Sequence, residues 1–499
     1  MTVREYFWFP VRPARIISVR SLPGAMPMKQ DRRSSGIRNI LSAALLLLLP
    51  MGLACAPEPT VPDADLAIVS ATVLPMDSER TLPGHTVVVK DGRIAAVLPA
   101  AEVTLGEGTT VVAGEGRFLI PGLAEMHGHL PGANSPPALT EDVLMMYVAN
   151  GVTTVRGMQG HASQLALRDR IDAGELIGPR LIVGSPSMSG RVETPEEAVR
   201  LVREYHEAGF DLLKVHEGLS PETYTALAAE AQSLGIPFAG HVADEVGLFA
   251  ALEGGHDTVD HLDNFVEALI PEEARADMEA LRGIAGLSEL VDLERLPGVI
   301  EAIEASGTGV VPTMVLWESG ILPTRPSSEL KAERPEIRYM PEETVARWTE
   351  AVDAGLERYG AENTARIAAL RRQILGALND AGANILLGTD SPQIFSVPGF
   401  SIHGEAVSYV ESGMTPYEVL ESGTRKVAEH VARDGRIATD FGVIAPGNRA
   451  DLVLLDANPL DNIEATRQIA GVVAGGRYLS AADIADALEA IAARRAAGE

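Results

Sequence analysis

The chain has 499 residues, 46% of them hydrophobic and 22% charged, enough to bury a large core and, by length, to hold two or three domains. Its formal net charge of −28 sets it against a nucleic-acid partner, because phosphates would be repelled at every approach. The single cysteine, Cys55, excludes an internal disulfide framework.

The first feature in chain order is a leader. Lys29, Arg32, Arg33 and Arg38 precede an apolar run at 40–49, and small residues then lead to Cys55. A basic region, a short apolar stretch and a small-residue site make a secretory signal, not a membrane-spanning helix. With the cysteine directly after Leu53-Ala54, the segment is similar to a bacterial lipoprotein signal. Residues 1–55 are expected to be this signal with an N-terminal extension, Met26 and Met28 being candidate starts. The product is expected to be exported, either anchored to the cell envelope through lipid on Cys55 or simply periplasmic.

A Pro-rich tether follows at 56–63. Short β-like runs then appear at 66–74, 85–98 and 109–112, and Asp91-Gly92 reads as a hairpin turn. The same texture returns at 451–456 and 470–479. Residues 64–117 and 435–480 are therefore expected to build one small β-sandwich from both chain ends.

Between them, 118–434 alternates strand and helix, the pattern of parallel βα units. Strands are expected near 118–126, 153–157, 180–184, 211–215, 237–241, 258–262, 309–313 and 384–389, with helices such as 196–208 and 221–234. Eight strands is the count of a (β/α)8 TIM barrel, whose chemistry sits at the C-terminal strand ends. The α/β fold expected is this barrel with the small sandwich beside it. The long stretches 263–307 and 315–383 read as helical excursions, with 322–328 and 334–339 over the pocket mouth. Residues 481–499 read as a terminal helix.

Residues suited to metal chemistry lie on these strands. The apolar run from Phe118 ends in His127-Gly-His129, whose side chains share one face. Taken alone, this pair reads equally well as two exposed loop histidines. Lys214 sits between Leu213 and Val215 in a chain that has only five lysines, the others being Lys29, Lys90, Lys331 and Lys426. A buried lysine, unlike an arginine, can lose its proton and take up carbon dioxide. His241, His261 and Asp390 each come from one further apolar run.

This set, in this order, resembles the amidohydrolase superfamily, in particular its binuclear members. The stretches Leu119-Ile-Pro-Gly-Leu-Ala-Glu-Met-His-Gly-His, Gly151-Val-Thr-Thr-Val-Arg156, Gly388-Thr-Asp390 and Gly447-Asn-Arg-Ala-Asp451 look like its imidazolonepropionase-like and Xaa-Pro dipeptidase-like subgroup. The similarity runs from about Asp65 to Tyr478. One departure is Gly157, where an acidic residue is usual. The resemblance implies that His127, His129 and Asp390 hold one divalent cation and His241 and His261 a second, with carboxylated Lys214 between them. Zinc is the first expectation, with manganese, cobalt and iron as alternatives. It implies a water ionised between the cations and a C–N bond cleaved with Asp390 as acid–base group.

His216 and His403 are candidates for substrate contact, the latter in the loop after strand 8. Arg156 could bind a substrate carboxylate or form a structural ion pair. His85, His161, His206, His256 and His430 read as structural. The expected partner is a small molecule, a dipeptide or N-acyl amino acid, and homo-oligomerisation is left open. Alternatives are a lactone or phosphoester on the same site, a mononuclear cyclic amidase, and a non-catalytic binding lipoprotein.

Overall fold

The computed structural model describes residues 60–498, apart from 62, 276–283 and 434. The expected leader with Cys55, and residues 56–59 and 62 of the tether, lie outside the described residues. Among the described residues no helix is long and apolar enough to cross a membrane.

Strands from both chain ends do share a sheet. The strands in chain order begin with β1 (Thr60–Val61), β2 (Leu66–Val73), β3 (Leu82–Lys90), β4 (Arg93–Pro99), β5 (Thr104–Leu105), β6 (Thr110–Ala113) and β7 (Phe118–Pro121). The chain closes with β15 (Leu452–Leu455), β16 (Ile469–Ala474) and β17 (Arg477–Ser480). One eight-stranded sheet runs β17-β16-β15-β7-β2-β3-β4, with β6 also pairing β2. Asp91 and Gly92 turn β3 into β4 with φ of 50° and 72°, the left-handed pair that a tight hairpin needs. Ile68, Val87, Leu119, Leu452 and Val473 form the shared core.

The expected single strand at 118–126 is two. Phe118–Pro121 pairs with β15 and β2, whereas β8 (Leu123–Gly128) starts the parallel set. Gly122 permits the break, since a Cβ there would lie 2.0 Å from Thr153 Oγ1. The β-sheet therefore takes in residues assigned to the barrel.

In the middle, β8, β9 (Val152–Gly157) and β10 (Arg180–Val183) pair in parallel. So do β11 (Leu213–Val215), β12 (Phe238–Gly240), β13 (Thr258–Asp260) and β14 (Gly309–Val311). Parallel bridges join Gly184 to Leu212, Val310 to Ile385 and Gly128 to Ser391. The seven strands and the 384–391 segment thus follow one another in cyclic order. Ala124, Ile182, Ala239, Val311 and Leu386, from five of these segments, pack together with Leu212, which precedes β11. The eighth expected strand, 384–389, is irregular: only Ile385 forms a bridge, although Leu386 N–H and Leu387 C=O still bond to its neighbours.

Helices fill the connections. Helix Pro195–Ala208 starts on Thr194 and Pro221–Leu234 on Ser220, each hydroxyl accepting a first-turn N–H. The stretch after β14 is helical as expected: Ser327–Glu333, Glu342–Tyr359 and Ala361–Asp380. The terminal helix Ala481–Ala496 is tied back by Arg494 and Arg495 to the buried carboxylate of Asp142.

Candidate metal centre

The six residues read as ligands come together at the C-terminal ends of the parallel strands. His127 and His261 ring centroids lie 4.5 Å apart, His241 and His261 4.4 Å, and His127 and His129 5.4 Å. Lys214 Nζ is 3.2 Å from His127 Nε2, and His129 Nε2 is 2.6 Å from Asp390 Oδ1. His127, His261 and Asp390, all buried, offer ligand atoms within 4.8 Å of one another.

Each of three imidazoles is pinned at Nδ1. His127 Nδ1 donates to Asp260 Oδ2 at 2.6 Å, and His241 Nδ1 to Asp263 Oδ2 at 2.8 Å. His261 Nδ1 pairs with Thr313 Oγ1 at 2.8 Å. A histidine held this way presents Nε2, the usual arrangement of a metal ligand. Nε2 of His261 is buried and has no hydrogen-bond partner among the described residues, so the site fits a cation at that atom.

The frame around these groups is rigid. Glu125 accepts from His127 N–H, Thr389 N–H and Thr389 Oγ1, at 2.9, 2.7 and 2.6 Å, which locks β8 to the segment carrying Asp390. Burial pushes its carboxyl up to about 8. His261, Thr313 and Asp390 all sit in the left-handed region, with φ of 64°, 48° and 60°. Such conformations cost free energy and persist where surroundings over-determine them. Arg371, fully buried, supplies part of that constraint by donating to the carbonyls of His261 and Pro312.

Lys214 is fully buried, and desolvation lowers its ammonium pKa, favouring the neutral amine. Room for it comes from Gly240, at φ 122°, where a Cβ would lie 3.0 Å from Lys214 Cδ and 3.1 Å from Nζ. A Cβ would also meet Val215 O at 2.5 Å, so no side chain fits.

The substrate-contact candidates divide. His216 is half-buried beside His241, at 4.4 Å between centroids. Its Nδ1 accepts from Glu217 N–H, and Nε2 has no partner among the described residues. Burial, with His241 and Lys214 alongside, pushes its pKa down to about 2, leaving a neutral ring and a weak base.

Arg156 does not face a substrate at the ligand cluster. It is 2% exposed, donating Nε to Met126 O and Nη2 to Thr258 Oγ1 and Asp260, so of its two readings the ion pair holds. His403 is not in a loop but within helix Ser401–Glu411, 2% exposed and bonded through Nδ1 to Thr466. That helix packs against 463–467, which leaves the imidazole enclosed. Arg334, from the excursion expected to lie over the pocket, donates to Phe395 O in the loop after Asp390.

Sequence reading missed Asp260, Asp263, Thr313 and Glu217. Glu217, His241 and Asp263 form a second trio with ligand atoms within 4.8 Å. The signal was present: Asp260 and Asp263 flank His261 in Asp-His-Leu-Asp, and Glu217 follows His216.

Residues 118–479 match the Amidohydrolase family. An adenine deaminase from Rubrobacter xylanophilus is 26% identical over 432 residues, covering 84% of this chain and 58% of that protein. The chain thus spans less than two thirds of the length of that curated relative. Among solved structures, a bottromycin amidohydrolase superposes with TM-score 0.67 at 22% identity, over 86% of this chain and 90% of that one. A Xaa-Pro dipeptidase with methionine bound in its active site superposes with TM-score 0.60 at 17% identity, over 83% and 99%. At these identities the likeness shows the fold.

Proposed function

The chain belongs to the amidohydrolase family, and from that premise we propose that it hydrolyses a C–N bond in a small amide, a dipeptide or N-acyl amino acid. The cyclic parallel set is read as a (β/α)8 barrel from Leu123 to about 434, and the eight-stranded sheet, which takes in Phe118–Pro121, as the small composite domain. The observation that carries the reading is the set of three imidazoles pinned at Nδ1, with His261 Nε2 buried and unpartnered.

His127, His129 and Asp390 would hold one divalent cation, zinc before manganese, cobalt or iron, and His241 and His261 a second. Lys214, as a neutral amine, adds through Nζ to carbon dioxide and loses a proton, and the resulting carbamate would add its oxygens to the residues that hold the cations. Two bound cations would lower the pKa of a shared water and polarise the scissile carbonyl. Asp390 takes a proton from the attacking water and returns it to the leaving nitrogen. His216, neutral and with Nε2 free, hydrogen-bonds substrate and leaves the proton transfer to Asp390.

The adenine deaminase match favours a second reading, removal of an amino group from a heteroaromatic ring by the same residues. Protein purified without chelator, with bicarbonate and zinc or manganese supplied, should carry about two cations per chain. It should turn over X-Pro or N-acyl amino acid substrates in a panel that includes adenine, lactones and phosphotriesters. One cation or none would overturn the binuclear assignment, and turnover confined to adenine would select the second reading.

Asp260→Asn should weaken metal affinity by ~10- to 100-fold, the usual cost of losing a ligand's carboxylate partner. A chelator-competition titration checks it, with circular dichroism to confirm the fold. Unchanged affinity would remove Asp260 from the site.

Residues 1–55 are proposed as an export signal, with lipid on Cys55 as the anchor.

A further inference from the structure

A cavity of about 210 Å³ lies at the end of the parallel strands remote from His241 and His261. Leu212, Pro237 and Asp257, which precede β11, β12 and β13, line it, so it opens at the N-terminal strand ends. Its wall is mainly apolar, including Ile182, Phe238 and Ile437, and Arg156 also lines it.

Arg156 has one guanidinium nitrogen left over. Nε and Nη2 are committed to Met126, Thr258 and Asp260, whereas Nη1 has no hydrogen bond among the described residues. The carboxylates that share the cavity are already matched. Asp211 accepts from Arg168 and Val183 N–H, and Asp257 pairs with Arg433 and His430. The uncommitted charge-bearing donor is therefore a cation's, beside apolar walls.

We propose that this cavity binds a small carboxylate with an apolar body, its oxygen on Arg156 Nη1, and that occupancy is felt at the metal cluster. The link is short. Arg156 Nη2 is 3.3 Å from Asp260 Oδ2, and that same oxygen takes the hydrogen bond from His127 Nδ1. An anion on Nη1 shares guanidinium charge that Asp260 otherwise has alone, so anion and cation affinities are coupled, each changing the other by the same factor.

Benzoate and its neutral isostere benzamide are suitable probes. Calorimetry on chelator-treated protein keeps the metals out, so the result does not depend on the reaction proposed above. Benzoate should bind once per chain and benzamide at least about tenfold more weakly, a charge-assisted bond being the stronger kind. Saturating benzoate should shift metal affinity by about fivefold or more, the lower range of such couplings. Ile437→Trp, which fills the cavity from its apolar wall and leaves Arg156 unsubstituted, should lose benzoate binding and keep wild-type metal affinity. Equal binding of the two probes, benzoate binding that survives the plug, or metal affinity indifferent to benzoate would each overturn the proposal.

Discussion

Lys214→Arg should remove turnover altogether and leave at most one cation per chain. Arginine keeps its charge, cannot form a carbamate, and would bury a second fixed cation near Arg156 in a site that Gly240 shapes for a slim side chain. Lys214→Ala should also be inactive, but with space left open. Acetate or formate at tens of millimolar could enter that space and supply the missing oxygens, so partial rescue of both metal content and activity is the expected signature. A structural lysine would give no such rescue. Full activity in the arginine variant would sink the binuclear assignment.

Asp390→Asn should spare metal binding while hydrolysis falls by something like ~10²–10⁴, the contribution of a positioned acid–base group. Asparagine is nearly isosteric and keeps an oxygen for a cation and for Gln393 Nε2, which donates to Asp390 Oδ1 at 3.0 Å. It cannot accept the proton. KM should change little, because no recognition role is assigned to this carboxylate. A variant that keeps most of its turnover with metals bound would show that another group moves the proton. His216 is poorly suited to that work, since burial holds its imidazole near a pKa of about 2. Glu217, at the second trio, would be the group to replace next.

Both tests depend on how much of the site each level of structure supplies. Two histidines at i and i+2, a lone lysine in an apolar run and an aspartate after Gly-Thr are local patterns, and strand periodicity alone puts such side chains at strand ends. Hence the alternation of strand and helix was legible in the residues themselves, and the six residues as one ligand set through their resemblance to a known family. The pairing of both chain ends in one sheet was legible too, through repeated β-like texture.

Other features depended on residues far apart in the chain. Asp260 reaches His127 across 133 positions, and Glu125 reaches Thr389 across 264. The run Asp-His-Leu-Asp marks Asp260 as a neighbour of His261, but nothing local marks it as the partner of His127 on another strand. Arg156 shows the same limit. At a strand end it reads equally as a substrate anchor or an ion-pair partner, and the decision came from the neighbouring strands that leave it 2% exposed beside Asp260. His403 was misplaced because a helix begins eleven residues after Asp390, at Ser401, where the sequence suggested a loop. Side-chain identity and periodicity thus determined which chemistry the chain carries. Which groups orient it, and which are locked away, was decided by packing, because burial and hydrogen-bond partners belong to the assembled strands and to no single one of them.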